Sequence, residues 1–319
     1  MIAELLSHLL LTTSVLRIVP VDAASLEWAA GIGEPSTLFA IPPRNHFASL
    51  PRAADRIVAP KKVDLDSYGI VTNAKSAIVV DATSGAVLFS KRPDDPRAIG
   101  SIAKLMAVYT FLAADPVLNT KVTIIADDYV GGGRVYVRFD DPIYLYDVLK
   151  AALVGSDNTA TKSLARLSGV SDDEFVVKMN ENAVALGMTS SYFADLTGVD
   201  VHSVSTARDL TKMLAAAESN PTMAGIMPMS SVTIAQASGY GVTIDATNEL
   251  LQSYLNSNTY HIVAGKTGFI PQAGYCLATA VEHDGHRIRV VVLGSDTSNE
   301  RFVDAKGLAG WAYKTFSWK

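Results

Sequence analysis

Cysteine is almost missing: the 319 residues hold one, Cys276. No disulfide can therefore form within the chain. Cys276 sits in the apolar run Tyr275-Cys276-Leu277-Ala278, which suits a small buried hydrophobe and not a thiol nucleophile. An excess of basic charge is missing too. The 27 Lys and Arg are outnumbered by 32 Asp and Glu, a formal net charge of −5. With no long basic run, the chain is not expected to bind nucleic acid. The apolar-rich segment Leu5 to Val19 is broken by Ser7, His8 and Arg17, so no stable membrane span is expected. The six histidines show no ligand spacing such as His-Glu-x-x-His, which argues against a metal site. There is no internal repeat.

What is present is globular material: 49% hydrophobic and 18% charged residues. That is enough for one large domain or two intimate subdomains. Residues 1–24 read as an atypical or truncated export signal. Val21-Asp22-Ala23-Ala24 loosely resembles a cleavage site, but no Lys or Arg precedes Arg17. Residues 25–73 read as a Pro-rich linker or arm, with five of the 13 prolines between Pro35 and Pro60. Residues 74–319 read as the folded domain.

Within that domain, Ser76 to Val80 and Ala86 to Ser90 are expected to be strands around the turn Ala82-Thr83-Ser84-Gly85. Helices are expected over Ile102 to Leu112, Ile143 to Val154, Ser171 to Ala185, Leu210 to Ala217 and Arg301 to Tyr313. Ser171-Asp172-Asp173-Glu174 is a capping box. His261 to Ala264 is strand-like, and Tyr275 to Glu282 and Ile288 to Leu293 form a hairpin around Asp284-Gly285. Strands come from both ends and helices from the middle. The fold class is therefore α+β: an antiparallel sheet flanked by helices, with a mostly helical lobe inserted at about residues 101–240.

Three short motifs carry the chemistry, each occurring once: Ser101-Ile102-Ala103-Lys104, Ser156-Asp157-Asn158 and Lys266-Thr267-Gly268. Alone, each has a plain alternative: a solvated helix face, a turn, an edge-strand lysine. Together and in this order they form a known active-site set. Serine needs a neighbouring base to become nucleophilic. Three residues on along a helix, Lys104 falls beside Ser101, and burial with a second cation such as Lys266 would lower its pKa. Ser156 can relay a proton to a leaving amine, and Asn158 can hold a substrate amide or the Lys104 side chain. Lys266 and Thr267 suit a carboxylate, and Gly268 lets a ligand approach the backbone. The N–H groups of Ser101 and Phe269 are the expected oxyanion donors.

The chain resembles the low-molecular-mass penicillin-binding proteins of the serine D-alanyl-D-alanine carboxypeptidase/endopeptidase type. The likeness runs from about Ala74 to Tyr313. It includes Met179 to Met188, Phe193 to Asp200 with Ser205 to Leu210, and Gly265 to Phe269 with Ala273 to Leu277. The resemblance implies that Ser101 is acylated, Lys104 is its base, Ser156 the proton relay and Asn158 a substrate contact. It further implies that Lys266 and Thr267 bind the terminal carboxylate. Peptidoglycan stem peptides and β-lactam inhibitors are the implied partners, no cofactor is needed, and the location is extracytoplasmic. Asp157 stands where many members have Gly, and Ile270 where a Thr often follows; both are expected to bear on substrate preference. The end at Lys319, without a β-rich C-terminal domain, resembles the soluble endopeptidase subgroup.

Two other readings compete. A class A-like β-lactamase would share the motifs but needs a deacylating Glu. Glu174, Glu181 and Glu218 lack the required Glu-x-x-x-Asn pattern. A non-catalytic penicillin- or wall-binding module is opposed by the intact reactive residues.

Overall fold

The computed structural model describes residues 57–318. The expected export signal at 1–24, and the arm as far as residue 56, lie outside the described residues. A five-stranded antiparallel sheet organises the rest. Its strands are β1 (Ser76–Asp81), β2 (Val87–Lys91), β3 (Tyr260–Ile270), β4 (Gly274–His283) and β5 (His286–Ser295), in the spatial order β3-β4-β5-β1-β2. The β4–β5 turn is Asp284-Gly285, with φ of 49° and 76°. Both central residues are left-handed, as a two-residue type I′ hairpin requires.

The sheet is covered on both faces, which is why its strands read as apolar runs without polar alternation. Ile78, Val291 and Leu293 join the core beneath the helical lobe, while Ala77, Val79, Val290 and Val292 point to the opposite core. That second core is closed by a C-terminal helix through Phe302, Ala305, Leu308, Ala309 and Ala312, spaced to share one helix face.

The described helices are α1 (Lys104–Leu112), α2 (Leu145–Leu153), α3 (Asn158–Leu167), α4 (Asp172–Ala185), α5 (Ala207–Ser219), α6 (Pro221–Ile226) and α7 (Ser298–Thr315). All of α1 except Tyr109 is buried, so it is the axle of the lobe and not an amphipathic surface helix. The capping box expected at Ser171 forms: Ser171 Oγ accepts from the Glu174 N–H, and Glu174 accepts from the Ser171 N–H.

Three boundaries differ from the sequence expectation. The segment expected as helix from Ile143 begins as α2 at Leu145, because Ile143–Tyr144 pair in extended form with Lys121–Val122. The closing helix begins before Arg301, where Thr297 and Glu300 form a second capping box. Within the stretch expected as an arm, Lys61–Lys62 pair with Phe316–Ser317, and the Trp311 indole N–H donates to Ser67 Oγ. Among the described residues no helix is long and apolar enough to cross a membrane.

Candidate active site

The first motif lies in a 3₁₀ turn, Gly100–Ala103, that runs directly into α1. The tighter turn sets Lys104 above Ser101, and Lys104 Nζ donates to Ser101 Oγ at 2.6 Å and to the Thr197 carbonyl at 3.2 Å. Lys104 is fully buried. Desolvation pushes its pKa down to about 7, against opposing pulls from Asp195 and Asp157.

The second motif joins α2 to α3. Ser156 is held with φ of 58°, a left-handed conformation that costs a non-glycine residue about 1–3 kcal/mol and clusters at functional sites. Its hydroxyl accepts from Lys266 Nζ at 2.7 Å. Asn158 opens α3, and its Nδ2 donates to the Gly131 carbonyl at 2.8 Å. That bond ties the amide nitrogen to the 131–133 loop, and the side chain makes no hydrogen bond with Lys104.

Asp157 does not face a substrate. It is fully buried, caps α3 by accepting from the Ala160 N–H and accepts from the Tyr136 N–H at 2.8 Å. Burial raises its pKa. Its place in the motif is therefore architectural: it ties the loop at Tyr136 to the start of α3.

The third motif lies on β3, an edge strand, yet Lys266 is only 1% exposed. The plain alternative of a solvated edge lysine does not hold. Burial first, then Lys104 and Arg301, holds its pKa well below the usual lysine range. Thr267 Oγ1 donates to Thr247 Oγ1 at 2.7 Å. Gly268 is required by contact: a Cβ there would lie 2.1 Å from the Ile99 carbonyl oxygen. Gly100 completes the same approach, because a Cβ on it would lie 2.6 Å from the Phe269 nitrogen. The backbone around Ser101 and the backbone at Phe269 are thus in direct apposition. The Phe269 ring itself is half exposed and stacks on Tyr275, 4.3 Å between centroids.

Two residues of the site went unassigned in the sequence. Asp195 accepts from the N–H groups of Thr197, Gly198 and Val199 and from the hydroxyls of Thr197 and Ser203. It fixes the loop whose Thr197 carbonyl holds Lys104. The signal was a short acid one residue ahead of Thr-Gly, in Asp195-Leu196-Thr197-Gly198, a common turn chemistry. Arg301 of α7 donates from Nη1 to the Gly268 carbonyl at 3.3 Å, and its buried Nε has no partner among the described residues. Nothing local marks this arginine.

Asp195→Ala is expected to cost about 3 kcal/mol, since several donors lose a charged acceptor at once. Urea unfolding checks it, and a cost below about 1 kcal/mol would show that the loop stands without the carboxylate.

Two of the three glutamates weighed for β-lactamase chemistry are engaged elsewhere. Glu174 is spent on the Ser171 cap, and Glu218 is clamped between Arg287 and Arg289.

Comparison with known proteins places the chain in a family. Residues 65–297 match the peptidase S11 family model, described as D-alanyl-D-alanine carboxypeptidase. The D-alanyl-D-alanine endopeptidase of Pseudomonas aeruginosa is 34% identical over 239 residues, covering 74% of this chain and 76% of the relative. The Escherichia coli D-alanyl-D-alanine endopeptidase is 34% identical over 240 residues, covering the same 74% and 76%. Among solved structures, the DD-transpeptidase of Streptomyces strain K15 superposes with a TM-score of 0.72 at 27% identity, covering 78% of this chain and 100% of that one. The chain belongs to the D-alanyl-D-alanine carboxypeptidase family and is a serine DD-peptidase.

Proposed function

We propose that the protein is a DD-endopeptidase of the cell envelope, acting outside the cytoplasm on D-alanyl cross-links between peptidoglycan stem peptides. The observation that carries the chemistry is the 2.6 Å contact between the Ser101 hydroxyl and the buried Lys104 amine. Neutral Lys104 takes the Ser101 proton as Oγ attacks the D-alanyl carbonyl carbon. The carbonyl oxygen becomes an oxyanion between the N–H groups of Ser101 and Phe269. Collapse breaks the amide bond, and the leaving amine takes its proton through the Ser156 hydroxyl. Water then cleaves the acyl-serine ester and regenerates the enzyme. Lys266, Thr267 and Gly268 line the place for the carboxylate on the leaving side, and Asn158 for the amide of the acyl donor. An arriving carboxylate favours the charged form of Lys266, opposing the burial and neighbouring cations that hold its pKa down. β-Lactams enter the same path because their reactive amide opens onto Ser101. The preference for cross-links rests on the endopeptidase relatives at 34% identity.

The test is digestion of a cross-linked disaccharide-tetrapeptide dimer beside a monomeric disaccharide pentapeptide, with products read by mass. Dimer conversion to monomers at least about tenfold faster than loss of terminal D-alanine is expected. Faster trimming of the pentapeptide would make the enzyme a carboxypeptidase instead.

A further inference from the structure

Thr267 lines the place for the carboxylate, yet its hydroxyl proton is already given away. A threonine hydroxyl donates once and accepts through two lone pairs. Here Thr267 Oγ1 donates to Thr247 Oγ1 at 2.7 Å, and among the described residues it has no other hydrogen bond. Thr247 belongs to none of the three motifs. It is half-buried and follows the strand Gly241–Asp245.

The position of Thr247 is fixed on two sides. Its N–H donates at 3.1 Å to the carbonyl of Val154, two residues before Ser156. The next residue, Asn248, is buried and lies against β3 where Gly265 has no side chain: a Cβ there would lie 2.5 Å from Asn248 Nδ2. Residues 265 and 267 share one face of the strand, and Lys266 takes the other. Lys266 Nζ donates to Ser156 Oγ there. Motifs two and three are thus joined twice, by Lys266 with Ser156 and by Thr247 between Val154 and Thr267.

We propose that Thr247 is a positioning residue for the leaving-side carboxylate, acting through Thr267. When the carboxylate arrives, the hydroxyl pair turns over. The Thr267 O–H swings to a carboxylate oxygen, and the Thr247 O–H donates to Thr267 Oγ1 in its place. No bond to hydrogen breaks; two hydroxyls rotate, and the contact between the oxygens persists. The new donor faces an anion, the stronger class of hydrogen bond, and the chained hydroxyls polarise one another. Without the Thr247 hydroxyl, nothing else among the described residues holds the Thr267 O–H toward the carboxylate. The inference rests on the DD-peptidase reading, which assigns Lys266 and Thr267 to that carboxylate.

The test compares Thr247→Val and Thr247→Ala, which lack the hydroxyl, with Thr247→Ser, which keeps it. On a peptide ending in D-Ala-D-Ala, the first two are expected to raise KM about tenfold with kcat within about twofold, the mark of binding lost equally from ground and transition states. Thr247→Ser is expected to stay within about twofold of wild type in both constants. A second readout sets the rate of covalent labelling by a penicillin against that by its methyl ester, which offers no carboxylate. The wild type is expected to favour the acid. That preference shrinks about tenfold in Thr247→Val and Thr247→Ala, the scale of one hydrogen bond to a charged group, and holds in Thr247→Ser. An unchanged KM or an unchanged acid-to-ester ratio in the two variants without the hydroxyl overturns the proposal, and so do equal losses in Thr247→Ser. A wild type that penicillin labels but that leaves the peptide whole overturns the DD-peptidase reading. A ratio that still collapses without the Thr247 hydroxyl then supports the role of Thr247 on its own.

Discussion

Ser101→Ala is expected to remove the penicillin adduct completely and to lower peptide cleavage by about 10⁴- to 10⁶-fold. Intact mass spectrometry after incubation with a fluorescent penicillin reads it directly: wild type gains the mass of the inhibitor, and the variant stays at its own mass. The loss is chemical and not structural. Among the described residues Ser101 Oγ has one hydrogen bond, from Lys104 Nζ, and that amine keeps the Thr197 carbonyl as partner. Thermal unfolding of the variant is thus expected within a few degrees of wild type. An adduct persisting on Ser101→Ala would move the nucleophile elsewhere, and Ser156 would be the first place to look.

The second large effect belongs to Lys104. A base must be unprotonated, and burial brings this amine to a pKa of about 7. Acylation is therefore expected to rise with pH through about 7 and then level off. Lys104→Ala is expected to lose about 10²- to 10⁴-fold in acylation at every pH. Lys104→Arg is not a rescue, since guanidinium stays protonated. The sign for stability runs the same way. The unfolded lysine holds its proton up to about 10.5, while the folded one releases it from about 7 upward. Between these values the unfolded state binds more protons, so raising the pH favours folding through this group. A rate of penicillin acylation that is flat from pH 6 to 9 would remove Lys104 from the role of base.

Much of the site was legible because its signals are local. Ser101 and Lys104 meet within one turn, and Ser156 to Asn158 fall where one helix stops and another is capped. The turn at Asp284-Gly285 and the cap at Ser171 likewise depend on a few adjacent residues. What stayed hidden depends on partners far along the chain. Arg301 gains its meaning from the Gly268 carbonyl, and Asp157 from the Tyr136 N–H. Burial of Lys266 on an edge strand follows from the lobe packed over β3, which no strand pattern reveals. The pairing of Lys61–Lys62 with Phe316–Ser317 joins opposite ends of the domain through backbone hydrogen bonds, which are indifferent to side-chain identity.

The near-contact of Gly100 with Phe269 has a practical corollary. The two proposed oxyanion donors come from the start of the lobe and from the far edge of the sheet, and neither position has meaning until those segments dock. A molecule that has kept its helices but lost that docking retains Ser101 and Lys104 as neighbours, yet offers only half of the oxyanion site. Covalent capture of a fluorescent penicillin then works as a conformational census. In a partly denatured or freshly refolded sample, the labelled fraction counts the molecules whose tertiary structure is complete, and secondary-structure spectroscopy would overcount them.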